Sequence, residues 1–199
     1  VVIRNFALVK SGDNYEVDLK RLLSTGRYPS RCVSENMADI AAQQAAGAQG
    51  VRALLELTQQ YSVKTIDTFM GQILDLAGDS MQRWIKKLPT CPMSFEDHLD
   101  DGSRIAATIK RDENHLEVRF DTSPVHPNGF NATPAIVTAA TLYVLRCVSG
   151  SKLPLCDGVL RDVTIQIPEG MLDPPHHTDP TMCAAVVAGN VETSQRIVD

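Results

Sequence analysis

The stretch Arg104–Phe120, RIAATIKRDENHLEVRF, is the clearest evidence for the fold class of this 199-residue chain. Apolar or small residues occupy alternate positions on both sides of a polar triplet: Ile105, Ala107 and Ile109 before it, and Leu116, Val118 and Phe120 after it. A period of two is typical of β-strands that bury one face. The polar triplet at residues 112–114 is suited to a turn, so the stretch predicts a β-hairpin.

Upstream of this stretch the sequence has helical periodicity. Apolar residues recur at spacings of three and four in two runs, from Ser34 to Thr58 and from Ile66 to Leu88. Only a short segment around residues 61–64 separates the runs, so we expect two helices in an antiparallel hairpin. Small residues on the first run predict close packing against another element: Ala41, Ala45, Gly47 and Gly50.

Shorter elements are expected on both sides. Before the helices, Val2–Val9 has the pattern of a strand and Val17–Leu23 that of a short helix. After the hairpin, Pro134 opens a predicted buried helix, Ala135–Val148, and strands are predicted at Val163–Ile167 and Ala184–Val187.

This order of elements predicts an α+β fold, in which a helical hairpin packs with a mixed or antiparallel β-sheet region and one buried helix. We divide the chain into residues 1–90, a strand plus the helical hairpin, and residues 91–199, a β-rich α+β region. Both are expected to be parts of one larger domain that is truncated at both ends.

The composition and charge of the chain argue against several classes of protein. The formal charge of -5 argues against nucleic-acid binding, which favours a basic face. No stretch approaches the ~18 uninterrupted apolar residues of a membrane span. The five cysteines are scattered without a CxxC pair, which argues against a zinc site and favours a cytoplasmic location. The chain begins at Val1 without an initiator Met, which favours an internal fragment.

An acidic segment precedes the hairpin and is the first candidate site. Four carboxylates and His98 lie within six residues: Glu96, Asp97, Asp100 and Asp101. Such a cluster could bind a hard cation or supply a general base. The alternative is a solvated acidic turn that enters a strand, with Asp101-Gly102 at its corner.

Two further polar groups are candidates. Asn36, Asp39 and Gln43 are spaced to share one side of the first long helix, with Arg27 and Arg31 just before it, although a plain polar face has the same pattern. In the loop 122–131, His126 and Asn131 could orient a substrate, and Asn131 could instead cap the next helix. The adjacent His176 and His177 lack a third ligand at suitable spacing, so they are a weak metal signal.

Several separated segments resemble, in order, the hydantoinase B half of the 5-oxoprolinase family. They cover nearly the whole chain: Arg27–Pro29 with Asn36–Ala46, Asp100–Ser103, Asn128–Ile136, Tyr143–Cys147, Leu153–Leu155, Ile167–Gly170 and Ala184–Arg196. Each segment is modest evidence, but their shared order is specific. The chain is therefore identified as resembling an internal part of that half.

The resemblance implies an ATP-dependent hydrolase of cyclic amides, with 5-oxo-L-proline, ATP and water giving L-glutamate, ADP and phosphate. In that family a hydantoinase A-like ATPase subunit or domain phosphorylates the amide oxygen, and this half assists hydrolysis of the activated lactam. ATP and a divalent cation, Mg or Mn, are implied for the full enzyme, with neither bound by this fragment and no metal ligands assigned. A homo-oligomer is also expected.

The polar clusters described above, taken together with the resemblance, supply the predicted site. The predicted catalytic residues are Asp39, Asp100 and Asp101. The predicted substrate-binding residues are Arg27, Asn36, Gln43, His126, Asn131 and Arg196. The isolated chain is expected to be inactive, because the family's metal-site segments with His and Asp would precede Val1.

Alternatives remain open at this point. An N-methylhydantoinase or the large subunit of an acetone or acetophenone carboxylase has the same resemblance, and a catalytically degenerate scaffold for the ATPase half is a third possibility. The last is favoured by Arg119–Thr122, where the family usually has an acidic-Phe-x-Gly-Thr turn. A turn that needs a positive φ would be strained without the glycine.

Overall fold

A computed structural model describes residues 3, 5–26, 28–127, 129–150, 154–175, 179–184 and 187–199. The strands are β1 (Val9–Lys10), β2 (Asp13–Asn14), β3 (Met93–His98), β4 (Arg104–Asp112), β5 (His115–Thr122) and β6 (Val163–Gln166). The α-helices are α1 (Glu16–Ser24), α2 (Val33–Tyr61), α3 (Val63–Ile85), α4 (Pro134–Ser149) and α5 (Ala188–Val198). Two short 3-10 helices span Asp157–Leu160 and Pro180–Met182. The predicted α+β class is confirmed.

The chain divides into two compact units, Val1–Asp67 and Thr68–Asp199. This division lies inside α3, upstream of the boundary that the change of sequence pattern at residue 91 indicated. The reason is that the second half of α3 packs into the core of the second unit through Ala77, Met81 and Ile85. The packing of α2 against α3 as a hairpin stays a prediction.

The first unit has little core. Strands β1 and β2 form a small antiparallel ladder, and no residue of α2 is buried. The prediction of a strand over Val2–Val9 is wrong for the described residues, because pairing begins only at Val9. Within the first unit the small residues of α2 are exposed, and no neighbour from that unit lies within 4 Å of a Cβ built on Gly47 or Gly50. Their close packing against another element therefore stays a prediction.

The second unit is built on a four-stranded sheet with the order β3-β4-β5-β6. The predicted hairpin is confirmed: β4 and β5 pair antiparallel, from Ile105 opposite Thr122 to Asp112 opposite His115. Strand β6 joins β5 in parallel. None of residues 119–122 has a positive φ, so the missing glycine causes no strain in this strand.

Strand β3 was not predicted. Residues 96–98, which the acidic pattern assigned to a turn, pair with residues 104–106 of β4. This edge strand is largely exposed, so it lacks the apolar alternation that reveals a strand in a sequence. The predicted turn is confined to the residues after it, where Gly102 has a φ of 86°.

One face of the sheet packs on α3 and α4. Its core residues come from every part of the second unit, including Met81, Leu99, Leu116, Phe120, Val137 and Met171. Helix α4 begins with Pro134 and is capped by the Thr133 side chain, not by Asn131 as the sequence suggested. It is buried on one side only, because Tyr143 and Val148 are more than half exposed.

The closing residues form α5. The strand predicted over Ala184–Val187 falls partly on Ala185 and Val186, which lie outside the described residues, and Val187 itself precedes the helix. Helix α5 packs against α4, with Gly189 and Thr193 buried. None of the described helices combines the length and the apolar surface that a membrane crossing requires.

Candidate functional site

The acidic turn and the loop 123–131 meet at a hydrogen-bonded pair. His126 Nε2 lies 2.5 Å from Asp101 Oδ2, although the two residues are 25 positions apart. His126 is only 8% exposed, whereas the Asp101 side chain is 45% exposed. Because an ionised carboxylate can only accept, His126 donates from Nε2, and in a neutral imidazole the proton-accepting nitrogen is then Nδ1.

Backbone geometry keeps Asp101 ionised. The Ser103 N–H donates to Asp101 Oδ1 at 2.9 Å, within a turn closed by the bond from Leu99 N to Ser103 O. The Ser103 backbone bond first, and then the bond from His126, lower the pKa of Asp101 from 3.8 to about 2. A carboxylate with so low a pKa is a poor general base near neutral pH. It is well suited to orient an imidazole and stabilise its protonated form.

Asn131 holds the backbone of His126. Its Oδ1 accepts from the His126 N–H at 2.6 Å, and its Nδ2 donates to the His126 carbonyl at 2.7 Å. The Asn131 side chain is completely buried, and the Phe130 ring meets the imidazole edge-on with 5.2 Å between the centroids. The geometry gives Asn131 a positioning role, because both polar atoms of its side chain are used on His126.

Arg196 of α5 reaches the other side of the acidic turn. Its Nε donates to the His98 carbonyl at 3.1 Å and lies 3.3 Å from Asp97 Oδ2. Asp100 and Glu192 lie farther away, at 3.9 and 4.0 Å. Three carboxylates around one guanidinium leave an excess of negative charge, so Arg196 is poorly placed to bind an anionic group of a substrate.

A separate pocket lies in the first unit. The predicted residues Asn36, Asp39 and Gln43 line one cavity of about 360 Å³, together with Leu23, Ser30 and Ile40. Ser30 Oγ donates to Asn36 Oδ1, while Asp39 and Gln43 are exposed. The helical spacing therefore predicted correctly that these three side chains share a surface. Arg27, the remaining predicted residue of this group, lies outside the described residues.

The predicted site residues thus form two groups. Asp101, His126, Asn131 and Arg196 lie in one cluster of the second unit, with Asp100 fully exposed at its edge. Asn36, Asp39 and Gln43 belong to the first unit. The sequence reasoning missed Gly189 and Asn190, which contact the loop that carries His126. A Gly-Asn pair at the start of a helix was the available signal, but it is common at helix ends.

The cluster does not fit a nucleotide or a metal ion. Its carboxylates outnumber its single guanidinium, which disfavours a triphosphate. Within the described ranges, no three His, Cys, Asp or Glu side chains are placed to hold a metal ion. His176 and His177 lie outside the described residues.

Sequence comparison identifies the family of this chain. The family described as hydantoinase B/oxoprolinase matches residues 1–199. A 5-oxoprolinase of Saccharomyces cerevisiae is 39% identical in an alignment of 185 positions that covers 87% of this chain and 14% of the yeast protein. The 5-oxoprolinase 1 of Arabidopsis thaliana is 32% identical in an alignment of 222 positions that covers 99% of this chain and 17% of that protein.

A solved structure shows the same fold. The ATP-dependent caprolactamase from Pseudomonas jessenii superimposes with a TM-score of 0.72 at 22% identity, over 96% of this chain and 33% of that chain. The chain therefore spans about a third of this solved chain. It spans only 14% and 17% of the two relatives named above.

Proposed function

Since the chain belongs to the hydantoinase B/oxoprolinase family, we propose that it is part of an ATP-dependent hydrolase of cyclic amides. The preferred substrate is 5-oxo-L-proline, because the relatives from yeast and Arabidopsis are both named 5-oxoprolinases. In this proposal a hydantoinase A-like ATPase subunit or domain supplies the phosphoryl group, with ATP and Mg or Mn. The complete enzyme is proposed to be a homo-oligomer.

The role of this chain is to assist the attack of water on the activated lactam. ATP supplies the chemistry that makes the unstrained amide electrophilic. In the proposal, His126 takes up a proton from the attacking water and later returns it to the ring nitrogen that leaves. Cleavage of this C–N bond gives an acyl phosphate, and a second water hydrolyses it to the carboxylate and inorganic phosphate. Asp101 stays ionised and stabilises the imidazolium formed in between.

The observation that carries the proposal is the contact between Asp101 and His126. Both residues were candidates on sequence grounds, and they meet at 2.5 Å from different loops of the fold. A carboxylate and an imidazole in this arrangement form the orienting part of a hydrolytic site. The α2 pocket, lined by Asn36, Asp39 and Gln43, is proposed as a separate polar binding surface of the first unit.

The test is made on the longer protein together with its ATPase partner. We expect 5-oxo-L-proline to stimulate ATP hydrolysis and to yield L-glutamate. His126→Gln should lower kcat by about 10²–10⁴-fold, the usual contribution of a general base. The exposed Gln195 provides a control, since Gln195→Ala changes the face of α5 opposite the buried Gly189 and Thr193.

Two outcomes would contradict the proposal. If no cyclic amide stimulates ATP hydrolysis, the assigned reaction is wrong, and turnover of a ketone that requires bicarbonate would favour a carboxylase instead. If His126→Gln hydrolyses the lactam at the wild-type rate, the reaction stands but the role of His126 falls.

A further inference from the structure

We propose that α5 holds Asp101 and His126 together, with Gly189, Asn190 and Arg196 as positioning residues. The effect on turnover rests on the proposed function, whereas the effect on the hydrogen bond does not. Each end of the helix contacts the segment that carries one member of the pair.

The N-terminal end of α5 contacts the loop that carries His126. A Cβ on Gly189 would lie 2.0 Å from the Asn131 carbonyl oxygen, so only glycine allows this approach. Asn190 Oδ1 accepts from the backbone N–H of Thr133 at 2.9 Å and from its hydroxyl at 3.2 Å. These contacts fix the end of the loop, and Asn131 transmits that fixed position to His126 through its two hydrogen bonds.

The C-terminal end of α5 contacts the segment that carries Asp101. Arg196 Nε donates to the His98 carbonyl, at the last residue of β3, and the turn 99–103 follows directly. The ion pair between Arg196 and the half-exposed Asp97 contributes little to stability by itself. The bond to the backbone is the specific restraint, because it fixes where the turn begins.

The length of α5 between these ends fixes the distance between the segment that carries Asp101 and the loop that carries His126. Gly189 and Arg196 are seven residues apart, about 10.5 Å along an α-helix, and they share one face with Thr193. Thr193 is completely buried, so the middle of this face is packed as well. The opposite face carries the exposed Val191 and Gln195. Helix α5 therefore acts as a brace between the two segments.

The spectroscopic test follows the imidazole of His126 in this chain. With ¹⁵N-labelled histidine the protein has five imidazole rings to assign. The proton on Nε2 of His126 should be shifted downfield and protected from exchange by the bond to Asp101. Asn190→Ala removes the acceptor for Thr133 and should weaken this signature. Asn190→Asp keeps the acceptor oxygen and is the matched control.

Arg196 provides a second, independent variant at the other end of the brace. Arg196→Lys keeps the charge but loses the planar Nε–H that binds the His98 carbonyl, so it should reproduce the effect of Asn190→Ala. The control Gln195→Ala should retain the wild-type signal. In the longer protein, the two disruptive variants should lower kcat by about 100-fold, as expected for a misplacement near 1 Å, with KM little changed.

The outcomes separate the two proposals. If both disruptive variants are folded and keep the wild-type signal of His126, the bracing role of α5 is overturned, whatever their activity. If the signal is lost in both while the longer protein hydrolyses no cyclic amide, the brace stands and the proposed reaction falls.

Discussion

Asp100 and Asp101 are adjacent in the sequence, but their carboxylates have different surroundings. The backbone N–H of Ser103 and the imidazole of His126 both bind Asp101, which lowers its pKa to about 2. Its neighbour Asp100 is fully exposed. Under the proposed function, Asp101 therefore orients the imidazole, and His126 is the proposed general base.

The low pKa of Asp101 predicts a pH dependence of stability. Because its pKa in the folded chain lies below the ordinary 3.8, the ionised form stabilises the fold at pH values above about 4. This contribution is lost as the pH falls toward 2. Asp101→Asn should be less stable than the wild type at pH 6, and the difference should shrink as the pH falls from 4 to 2.

Urea unfolding at several pH values measures this difference. Asp100→Asn is the matched control, because the exposed Asp100 has no comparable contacts and should change stability by less than about 0.5 kcal/mol. If the difference in the free energy of unfolding between wild type and Asp101→Asn stays the same from pH 6 to pH 2, the hydrogen bonds from Ser103 and His126 do not stabilise the ionised form of Asp101.

The contact between α3 and the 3-10 helix at Asp157–Leu160 depends on a glycine. A Cβ on Gly158 would lie 2.2 Å from the Leu74 carbonyl oxygen. This oxygen belongs to the backbone of α3, which cannot move aside as the end of a flexible side chain can. Gly158→Ala should therefore destabilise the second unit by about 1–3 kcal/mol, the range for overpacking. Gly71→Ala is the control, since nothing lies within 4 Å of its Cβ.

The control should change stability in the opposite direction. Gly71 lies within α3, where alanine is favoured over glycine by about 0.5–1 kcal/mol. Thermal unfolding of both variants checks the pair. Equal stability of Gly158→Ala and the wild type would mean that the 3-10 helix is not fixed against α3.

Among the strands of the second unit, the sequence predicted those that bury one face. Leu116, Val118 and Phe120 are buried on alternate positions of β5, so the hairpin could be predicted. Strand β3 is held by pairing with β4 while its side chains remain exposed, and no local pattern records that pairing. The contact between Asp101 and His126 is likewise tertiary. Sequence analysis identified both residues but could not place them together.

The two units differ in how their helices and strands are buried. No residue of α2 is buried, whereas β5 contributes Leu116, Val118 and Phe120 to the core. Local stability follows buried apolar contacts, so different parts of one chain open with different free energies. The described chain is therefore expected to contain a stable second unit and a first unit that opens more easily.

Hydrogen exchange of this chain tests that expectation. Amides of α2 should exchange through openings of about 0–3 kcal/mol, whereas those of β4 and β5 should require about 5 kcal/mol or more. Leu116 is only 1% exposed, so Leu116→Ala should lower the protection of β5 by about 2–5 kcal/mol. The same variant should leave α2 unchanged, because its amides already open locally. Equal loss of protection in α2 and β5 would show instead that both units unfold as one.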